Sequence, residues 1–515
     1  MTWNSVHCRL SWQSGHVDDF VTGKLAALFE GDWFYVRYWE TGPHLRIRYR
    51  GKQDLRQSIL DLVTATDHPL LDIDPVAYYA EIGAPGGEWL PHGDVREVPY
   101  EPEIERYGGP EGLPIAEDLF CRSTEVAVAV LRSTRSKSAR LSAAIGLAIT
   151  TTRALGMDRP AAAAWLRTMG ASWRYAQEPA TSPSLESHIA AHQILSQRGK
   201  EISARWDRPD NPAAAHWSEQ IRAARAKADL PPRFWASQLH MLFNRMGVSP
   251  EEERMVCWLV AAAALAPDGL STFHGDDSDQ RYLEASKFLP GFINQFPRTA
   301  SKPPAPAKNW TMALPPPENL TVPLVTALND RHTSRDEALS GTLTTVELST
   351  LLWTAQGGRP YPSAGAQYCA RIRAIALSVE GLTPGCYDFD EICRTLEWTG
   401  PCPSVPDLES TSMWFGPGTT ELSGTPAVLA LYVRIGELRQ TYGLRALRFA
   451  FTEAGHLAQN LGLTAAAMGL SMGTIGGIYD DLAHDLLALD GVNATLVYLL
   501  PVARSESAGS VSDAQ

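Results

Sequence analysis

The stretch His44-Leu45-Arg46-Ile47-Arg48-Tyr49-Arg50 sets arginines on alternate positions. Strand alternation would put His44, Arg46, Arg48 and Arg50 on one face and Leu45, Ile47 and Tyr49 on the other. A solvated sheet edge is the ordinary explanation of such a face. A carboxylate site is the sharper one, because neighbouring guanidinium groups repel unless an anion sits between them. In Tyr100-Glu101-Pro102-Glu103-Ile104-Glu105-Arg106-Tyr107-Gly108-Gly109, Glu103 precedes Arg106 by three, which suits a surface ion pair or a carboxylate that orients an arginine. In His240-Met241-Leu242-Phe243-Asn244-Arg245, His240 and Asn244 share a helix face. A helical histidine is usually structural, yet an imidazole with a pKa of about 6.5 also suits proton transfer.

A second set lies further along. Arg331-His332-Thr333-Ser334-Arg335 offers two guanidinium forks and hydroxyls, a combination that holds phosphate oxygens or forms a solvated surface. Pro362-Ser363-Ala364-Gly365-Ala366 fixes a turn that could bring backbone groups close to a planar ligand. Gly473-Thr474-Ile475-Gly476-Gly477 has neither dinucleotide-fingerprint spacing nor the lysine of a P-loop, but could form an amide nest for one phosphate. The seven cysteines include no CxxC pair and no zinc-like spacing to histidine, so no metal site is expected.

Elements must position these groups. A chain of 515 residues exceeds what one core usually serves, so two or three domains are expected. A formal net charge of −13 argues against direct nucleic-acid binding, which needs a basic surface. An odd, scattered set of cysteines reads as reduced thiols. The N-terminus MTWNSVHCRL has no signal-peptide pattern, and the longest apolar run, Met255 to Ala266, is too short to span a bilayer and reads as a buried helix. A cytoplasmic protein without membrane contact is expected.

Residues 33–39 and 44–50 predict a strand pair. FWASQLHMLFNRM predicts a helix stopping at Gly247, and Ser249-Pro250-Glu251-Glu252 starts another with a capping box. Alanine-rich helical periodicity covers much of 124–265. The run FPRTASKPPAPAKNWTMALPPPENLTVP, 296–323, is too proline-dense for helix or sheet and reads as a linker. Beyond it, Thr344-Thr345-Val346-Glu347 starts a helix that ends at Gly357-Gly358. A helix near Leu444 to Leu461 looks apolar nearly all round, hence buried, with His456 as a core histidine. IRAIALSV, AVLALYVRI and TLVYLLPV are strand-like. The expected organisation is two α+β domains, 1–295 and 326–504, with a linker at 296–325 and a disordered tail at 505–515.

Arg331 to Arg335, LLWTAQGG followed by PSAGA, EAGHLAQN at 453–460, and Gly473 to Gly477 occur in an order that resembles the SagB-type azoline dehydrogenases of the nitroreductase superfamily, over about residues 326–503. The resemblance implies a nitroreductase-like flavin fold with FMN at a homodimer interface. Arg331, Thr333 and Arg335 would hold the phosphate and ribityl chain, and Pro362, Ser363, Ala364 and Gly365 the ring. Gly476 and Gly477 would lie on the phosphate side with Arg504. The implied reaction is oxidation of azolines to azoles. The family's lysine-tyrosine pair before the long helix is represented by Tyr442 alone, within Thr441-Tyr442-Gly443, so Tyr442 is carried over as catalytic.

WFYVRYxxxGPHLRIR, EPEIERYGG and HMxxNR resemble the elimination domain of lantibiotic dehydratases in its split, thiopeptide-type form, over nearly all of 1–295. That family removes glutamate from glutamylated Ser or Thr of a peptide. Arg46, Arg48, Glu103, Arg106 and His240 fall on its functional positions, with His240 as base or acid. The sequence leaves no room for the tRNA-dependent glutamylating domain of the full dehydratases, so that step is expected from a separate enzyme. A cyclodehydratase and the precursor peptide complete the expected partners. The joined halves resemble the fused elimination–dehydrogenase proteins of lactazole-type thiopeptide pathways. Two other readings stay open: a pyridine-forming cycloaddition domain in the first half, which would not need these arginines, or one half acting as a non-catalytic peptide scaffold.

Overall fold

The computed structural model describes residues 3–51, 53–81, 87–134, 136–172, 185–265, 282–283, 286–287, 310–335 and 339–504. Two compact units emerge, Met1–Thr181 with Ser187–Leu270, and Ser271–Gln515. Both combine helices and antiparallel sheet, which is the α+β architecture the sequence predicts.

In the first unit, four strands, β1 (Trp3–Arg9), β2 (Trp33–Tyr38), β3 (His44–Arg50) and β4 (Val95–Glu97), lie in the order β2-β3-β1-β4. The predicted pair is β2 and β3. One face buries Val6, Cys8, Tyr35, Leu45, Ile47 and Val95 against Val17 and Phe20 of α1 (Ser14–Phe20) and its continuation. Core alternation therefore forces the arginines of β3 onto the opposite face. The edge explanation fails, because β3 is an inner strand flanked by β1 and β2.

The rest of the unit is helical. It includes α2 (Gly109–Ser133), α3 (Pro232–Arg245) and α4 (Pro250–Leu265). Gly247, with φ of 69°, ends α3 as expected. The capping box of α4 is formed: Glu252 N donates to Ser249 Oγ at 3.2 Å and Ser249 N to Glu252 Oε2 at 3.0 Å. Among the described residues no helix is long and apolar enough to cross a membrane.

The second unit is built on a seven-stranded sheet. Its strands are β5 (Thr311–Ala313), β6 (Ala370–Ala376), β7 (Gly385–Asp390), β8 (Thr395–Gly400), β9 (Ala427–Arg434), β10 (Ser471–Met472) and β11 (Ala494–Ala503). Their order is β10-β11-β9-β6-β7-β8-β5. β9 is buried on both faces: Leu429, Leu431 and Val433 enter one core, Val428, Ala430 and Tyr432 the other. Three helices matter for the site, α5 (Leu324–Asp330), α6 (Thr345–Gln356) and α7 (Ala446–Ala467). The Thr344–Glu347 capping box starts α6 as predicted.

Two expectations are corrected. The long helix α7 is not buried all round. Ala446, Ala450, Ala454, Leu457, Leu461 and Ala465 form its core stripe, while Phe451, Thr452, Gly455, His456 and Gln459 form an exposed face, so His456 is not a core residue. The proline-rich run is not wholly without sheet either. Thr311, Met312 and Ala313, between prolines, keep their N–H groups and pair with β8. Ser349 Oγ then donates to Pro315 O at 2.6 Å, and Glu318 N to Thr350 Oγ1 at 2.9 Å. Residues 296–309 and 505–515 lie outside the described residues.

Tyr282, Leu283 and Ser286 are tied to α7 and the turn before it. Tyr282 Oη donates to Leu444 O at 3.2 Å, and Arg448 donates to Ser286 Oγ at 3.0 Å and to Leu283 O at 2.6 Å. Fragments 1–270 and 271–515 are each expected to unfold cooperatively alone. Starting the second at residue 310 removes those three bonds and should cost on the order of 2 kcal/mol, or several degrees in Tm. Thermal melts followed by circular dichroism check this; equal Tm for the two second-unit fragments would contradict it.

Candidate functional site

On the arginine face each guanidinium lies against an aromatic ring. Arg46 sits 3.3 Å from the Tyr38 ring centroid, Arg48 5.0 Å from Tyr100 and 5.6 Å from Phe34, and Arg50 4.4 Å from Trp3. Arg46 also pairs with Glu40 at 3.1 Å, and Arg50 with Asp32 at 3.2 Å. Arg48 differs: no carboxylate of the described residues forms an ion pair with it, and its buried Nε has no hydrogen-bond partner. Burial, with Arg46 beside it, pulls its pKa down to about 10, while Tyr100, Tyr107 and Glu103 act in the opposite sense. Ser5, opposite Arg48 across β1, leaves its buried Oγ without a partner as well.

Glu103 and Arg106 form the predicted ion pair, at 2.9 Å. The turn holding them is tight: Tyr107 N donates to Glu103 O at 3.2 Å and Gly109 N to Ile104 O at 2.9 Å, with positive φ at Gly108 and Gly109. A Cβ on Gly112 would come within 2.3 Å of Tyr107 O, so this glycine lets α2 start against the turn. Thus Arg46 and Arg48 share one face, and the carboxylate of the Glu103–Arg106 pair lies near enough to act on Arg48. His240 has another setting. On α3 its Nδ1 lies 2.8 Å from Oε2 of the buried Glu253 on α4, a carboxylate that orients the ring and that no local sequence pattern singled out.

The helix motif also has a structural task. Arg37 N donates to Asn244 Oδ1 and Asn244 Nδ2 to Arg37 O, both at 2.9 Å, so one side chain acts as a strand partner for the edge of β2. Tyr35 Oη donates to Arg245 O at 2.7 Å. Arg245 itself is fully buried, with Nη1 donating to Met241 O, Nε and Nη2 unpartnered, and the rings of Phe34 and Phe120 against it. Burial lowers its pKa to about 10. It was legible only as a member of the HMxxNR pattern.

In the second unit the candidates form two groups along α7. At one end, Pro362 O lies 3.4 Å from His456 Nδ1, and Tyr442 Oη occupies the space a Cβ on Gly365 would fill, 2.4 Å away. The loop is over-determined. Arg359, Gly365, Ala366 and Tyr368 all have φ between 48° and 61°, a conformation that costs non-glycine residues about 1–3 kcal/mol each. It is pinned by Ser363 Oγ, which accepts from Tyr368 N at 2.8 Å, and by buried Glu453, whose Oε1 accepts from Ala370 N at 2.8 Å. Gln356 and Glu391 add bonds to Ala370 O and Arg359. The strain carries no local sequence signal, and Glu453 was legible only as the first residue of EAGHLAQN.

At the other end, the Arg331 side chain lies 3.4 Å from where a Gly462 Cβ would be, and Ser334 N donates to Met472 O at 2.9 Å, next to Gly473. Six residues of α7 separate His456 from Gly462, a rise of about 9 Å. Among the described residues, no carboxylate pairs with Arg331 or Arg335, and Thr333, Arg335 and Gly476 are exposed. Arg504 is more committed: it donates to Glu347 Oε1 at 2.6 Å and Met468 O at 3.0 Å. Gly477 has Trp414 Nε1 2.4 Å from its would-be Cβ, and its carbonyl accepts from Ser412 Oγ. Unpaired guanidinium groups at one end and open, strained backbone at the other fit an elongated ligand with an anionic end and a planar end.

Comparison with known proteins gives both halves a lineage. Residues 3–265 match the family described as lantibiotic biosynthesis dehydratase C-term, and residues 328–504 match the nitroreductase family. A nitroreductase of Methanocaldococcus jannaschii is 29% identical over 205 residues, 38% of this chain and 97% of that protein. The subtilin biosynthesis protein SpaB of Bacillus subtilis is 30% identical over 109 residues, 21% of this chain but only 9% of that protein. Among solved structures, the pyridine synthase TbtD from thiomuracin biosynthesis superposes with a TM-score of 0.42 at 18% identity, over 51% of this chain and 98% of that one.

The Asn244 clamp can be tested apart from any activity. Asn244→Ala is expected to destabilise the first unit by about 2 kcal/mol, since two backbone groups of β2 lose their partner. Urea unfolding of fragment 1–270 measures this, and a change below a few tenths of a kcal/mol would show that the clamp contributes nothing.

Proposed function

We propose, from the premise that this chain belongs to the lantibiotic biosynthesis dehydratase C-terminal family and carries a nitroreductase-family domain, that it is a bifunctional enzyme of peptide maturation. The first unit eliminates glutamate from glutamylated Ser or Thr, and the second oxidises azolines to azoles with FMN. The observation that carries the first reading is Arg48, a guanidinium on an inner strand with no carboxylate ion pair among the described residues. A glutamyl ester brings one free carboxylate and develops a second as glutamate departs. Arg46 and Arg48 would bind and stabilise these charges in a poorly hydrated setting where such contacts count most. Glu103 would hold Arg106 toward the same group, and His240, oriented by Glu253, would move a proton as base or acid. Glutamylation would come from a separate enzyme acting on the same precursor peptide.

For the second unit, Arg331, Thr333 and Arg335 would hold the phosphate of FMN, with Gly476, Gly477 and Arg504 behind it. Pro362 to Gly365 would lie along the ring. Bound FMN supplies the hydride acceptor. Tyr442, beside Gly365, would take the carbon-bound proton, and the pinned loop would keep its own backbone out of the ring's space. The reading includes a second copy of the chain, supported by the exposed Leu324, Val325 and Leu328 of α5 and Phe451 of α7.

Three outcomes test it. Heat-released cofactor should have the mass of FMN, and Arg335→Ala should weaken its binding by about 2 kcal/mol; FAD or no flavin would overturn the second-unit reading. Gly365→Ala, which drives a methyl into Tyr442 Oη at a positive φ, should also lower flavin occupancy, read from visible absorbance. With the glutamylating partner present, Arg48→Ala and His240→Ala should accumulate glutamyl adducts while azoline oxidation continues, elimination slowing about 10²–10⁴-fold for His240→Ala. Dehydroalanine formed at the wild-type rate in both variants would sink the elimination reading.

A further inference from the structure

We propose that His7, on β1, is the group that takes the peptide α-proton at the arginine face, and that His44 beside it is a positioning residue for Arg46. The proposal rests on the elimination reading of that face. The β1–β3 register sets His7 opposite Arg46 and Ser5 opposite Arg48, so this imidazole shares the face of the guanidinium groups. It is 8% exposed and stacked on His44, with centroids 5.2 Å apart. His44 is already engaged: Nδ1 donates to Gly42 O at 2.9 Å, which leaves Nε2 to accept from Arg46 Nε at 3.3 Å. His7 makes no hydrogen bond to any described residue. The same face holds the buried Ser5 Oγ and Arg48 Nε, also without partners, and polar groups left unbonded together on one face mark where a ligand would meet the sheet.

The groups around His7 suit a base. Arg9 shares its strand, Arg46, Arg48 and His44 face it from β3, and Arg96 lies opposite it on β4. Asp94 pairs with Arg9 and Arg96, and Glu40 with Arg46, so both nearby carboxylates are occupied. Burial, then His44, Arg46, Arg48 and Arg9, hold the His7 pKa at about 2, so the imidazole is neutral with a lone pair available. A substrate carboxylate bound between Arg46 and Arg48 offsets the same charges. Burial, the largest cause, stays in place, while the part due to the arginines is relieved when substrate binds. In the step itself, a His7 ring nitrogen takes the α-proton and the Cα–H electron pair becomes the Cα=Cβ bond. The Cβ–O bond breaks, and glutamate leaves as its carboxylate toward the arginines. The imidazolium returns its proton to water, and no other reactant is consumed. His240, held by Glu253 against α4, is free of this duty and is left with the leaving group.

The test uses the full chain and a peptide carrying a glutamyl ester on serine, with dehydroalanine read by mass spectrometry. His7→Ala should eliminate about 10²-fold or more slowly, and added imidazole should restore part of the rate. His240→Ala should show no such rescue. His7→Gln, which keeps the volume, should be as slow as His7→Ala with an unchanged melting curve. His44→Gln should raise KM more than it lowers kcat. A wild-type rate in His7→Ala with a slow Arg48→Ala would overturn the His7 assignment and leave the elimination reading standing. A slow His7→Ala without imidazole rescue would reduce His7 to a structural residue. Wild-type rates in both variants would remove the elimination reading, and the proposal with it.

Discussion

The arginine row of β3 is the constraint around which the first unit is arranged. Once Leu45, Ile47 and Tyr49 enter the core, the pleat leaves the guanidinium groups no other face. Placing a charge where water is scarce costs several kcal/mol per ion, and each cation–π contact returns only about 0.5–2. The aromatic content of β2 and the turn at 100–107 is therefore a requirement: Phe34, Tyr38, Tyr100 and Trp3 soften the cost without cancelling the charge. A carboxylate in their place would stabilise the fold better and silence the site.

The second unit meets a different constraint with the same economy of means. Its loop at 359–368 holds four residues at positive φ, and a buried polar frame of Gln356, Glu391 and Glu453 keeps them there. Backbone that has already been forced into its final shape loses little entropy when a planar group binds against it. The frame stands on α6, β7 and α7, elements whose cores are apolar and closely packed, so the loop borrows their rigidity.

Local signals were legible in the sequence. The β2–β3 pair, the capping box at Ser249, the helix start at Thr344 and the Gly247 stop depend on residues within a few positions of one another, and each formed as predicted. What failed depends on partners far away in the chain. Nothing local marks WNSVHCR as the strand that carries His7 opposite Arg46, since a strand with a polar face reads as loop. The helix α7 looked buried because alanine and glycine count as apolar, yet small residues on its outer face cover little and leave Phe451 and His456 exposed. Glu253 and Glu453 are acidic residues that a sequence reading assigns to solvent; only packing reveals that each sits inside, bonded to a group that matters.

Several arginines are held inside the fold by carboxylates. Arg37 and Arg140 share Asp18, Arg359 and Arg371 share Glu391, and Arg373 pairs with Asp388 through both forks. In a chain with 58 acidic and 45 basic residues, carboxylates are in surplus, so an arginine left without one is not short of candidates. Arg48 and Arg245 in one unit, and Arg331 and Arg335 in the other, are among the described arginines with no carboxylate ion pair, as are Arg56, Arg132, Arg225 and Arg448, which bond to backbone carbonyls instead. Arg245 is walled in by Phe34 and Phe120 and acts on what lies above it through its field, which adds to that of Arg48. Arg48 and Arg331 are half-buried and Arg335 is exposed. The proposed site in each half thus rests on guanidinium groups that the chain's own carboxylates do not neutralise, which leaves local positive potential on a negative protein.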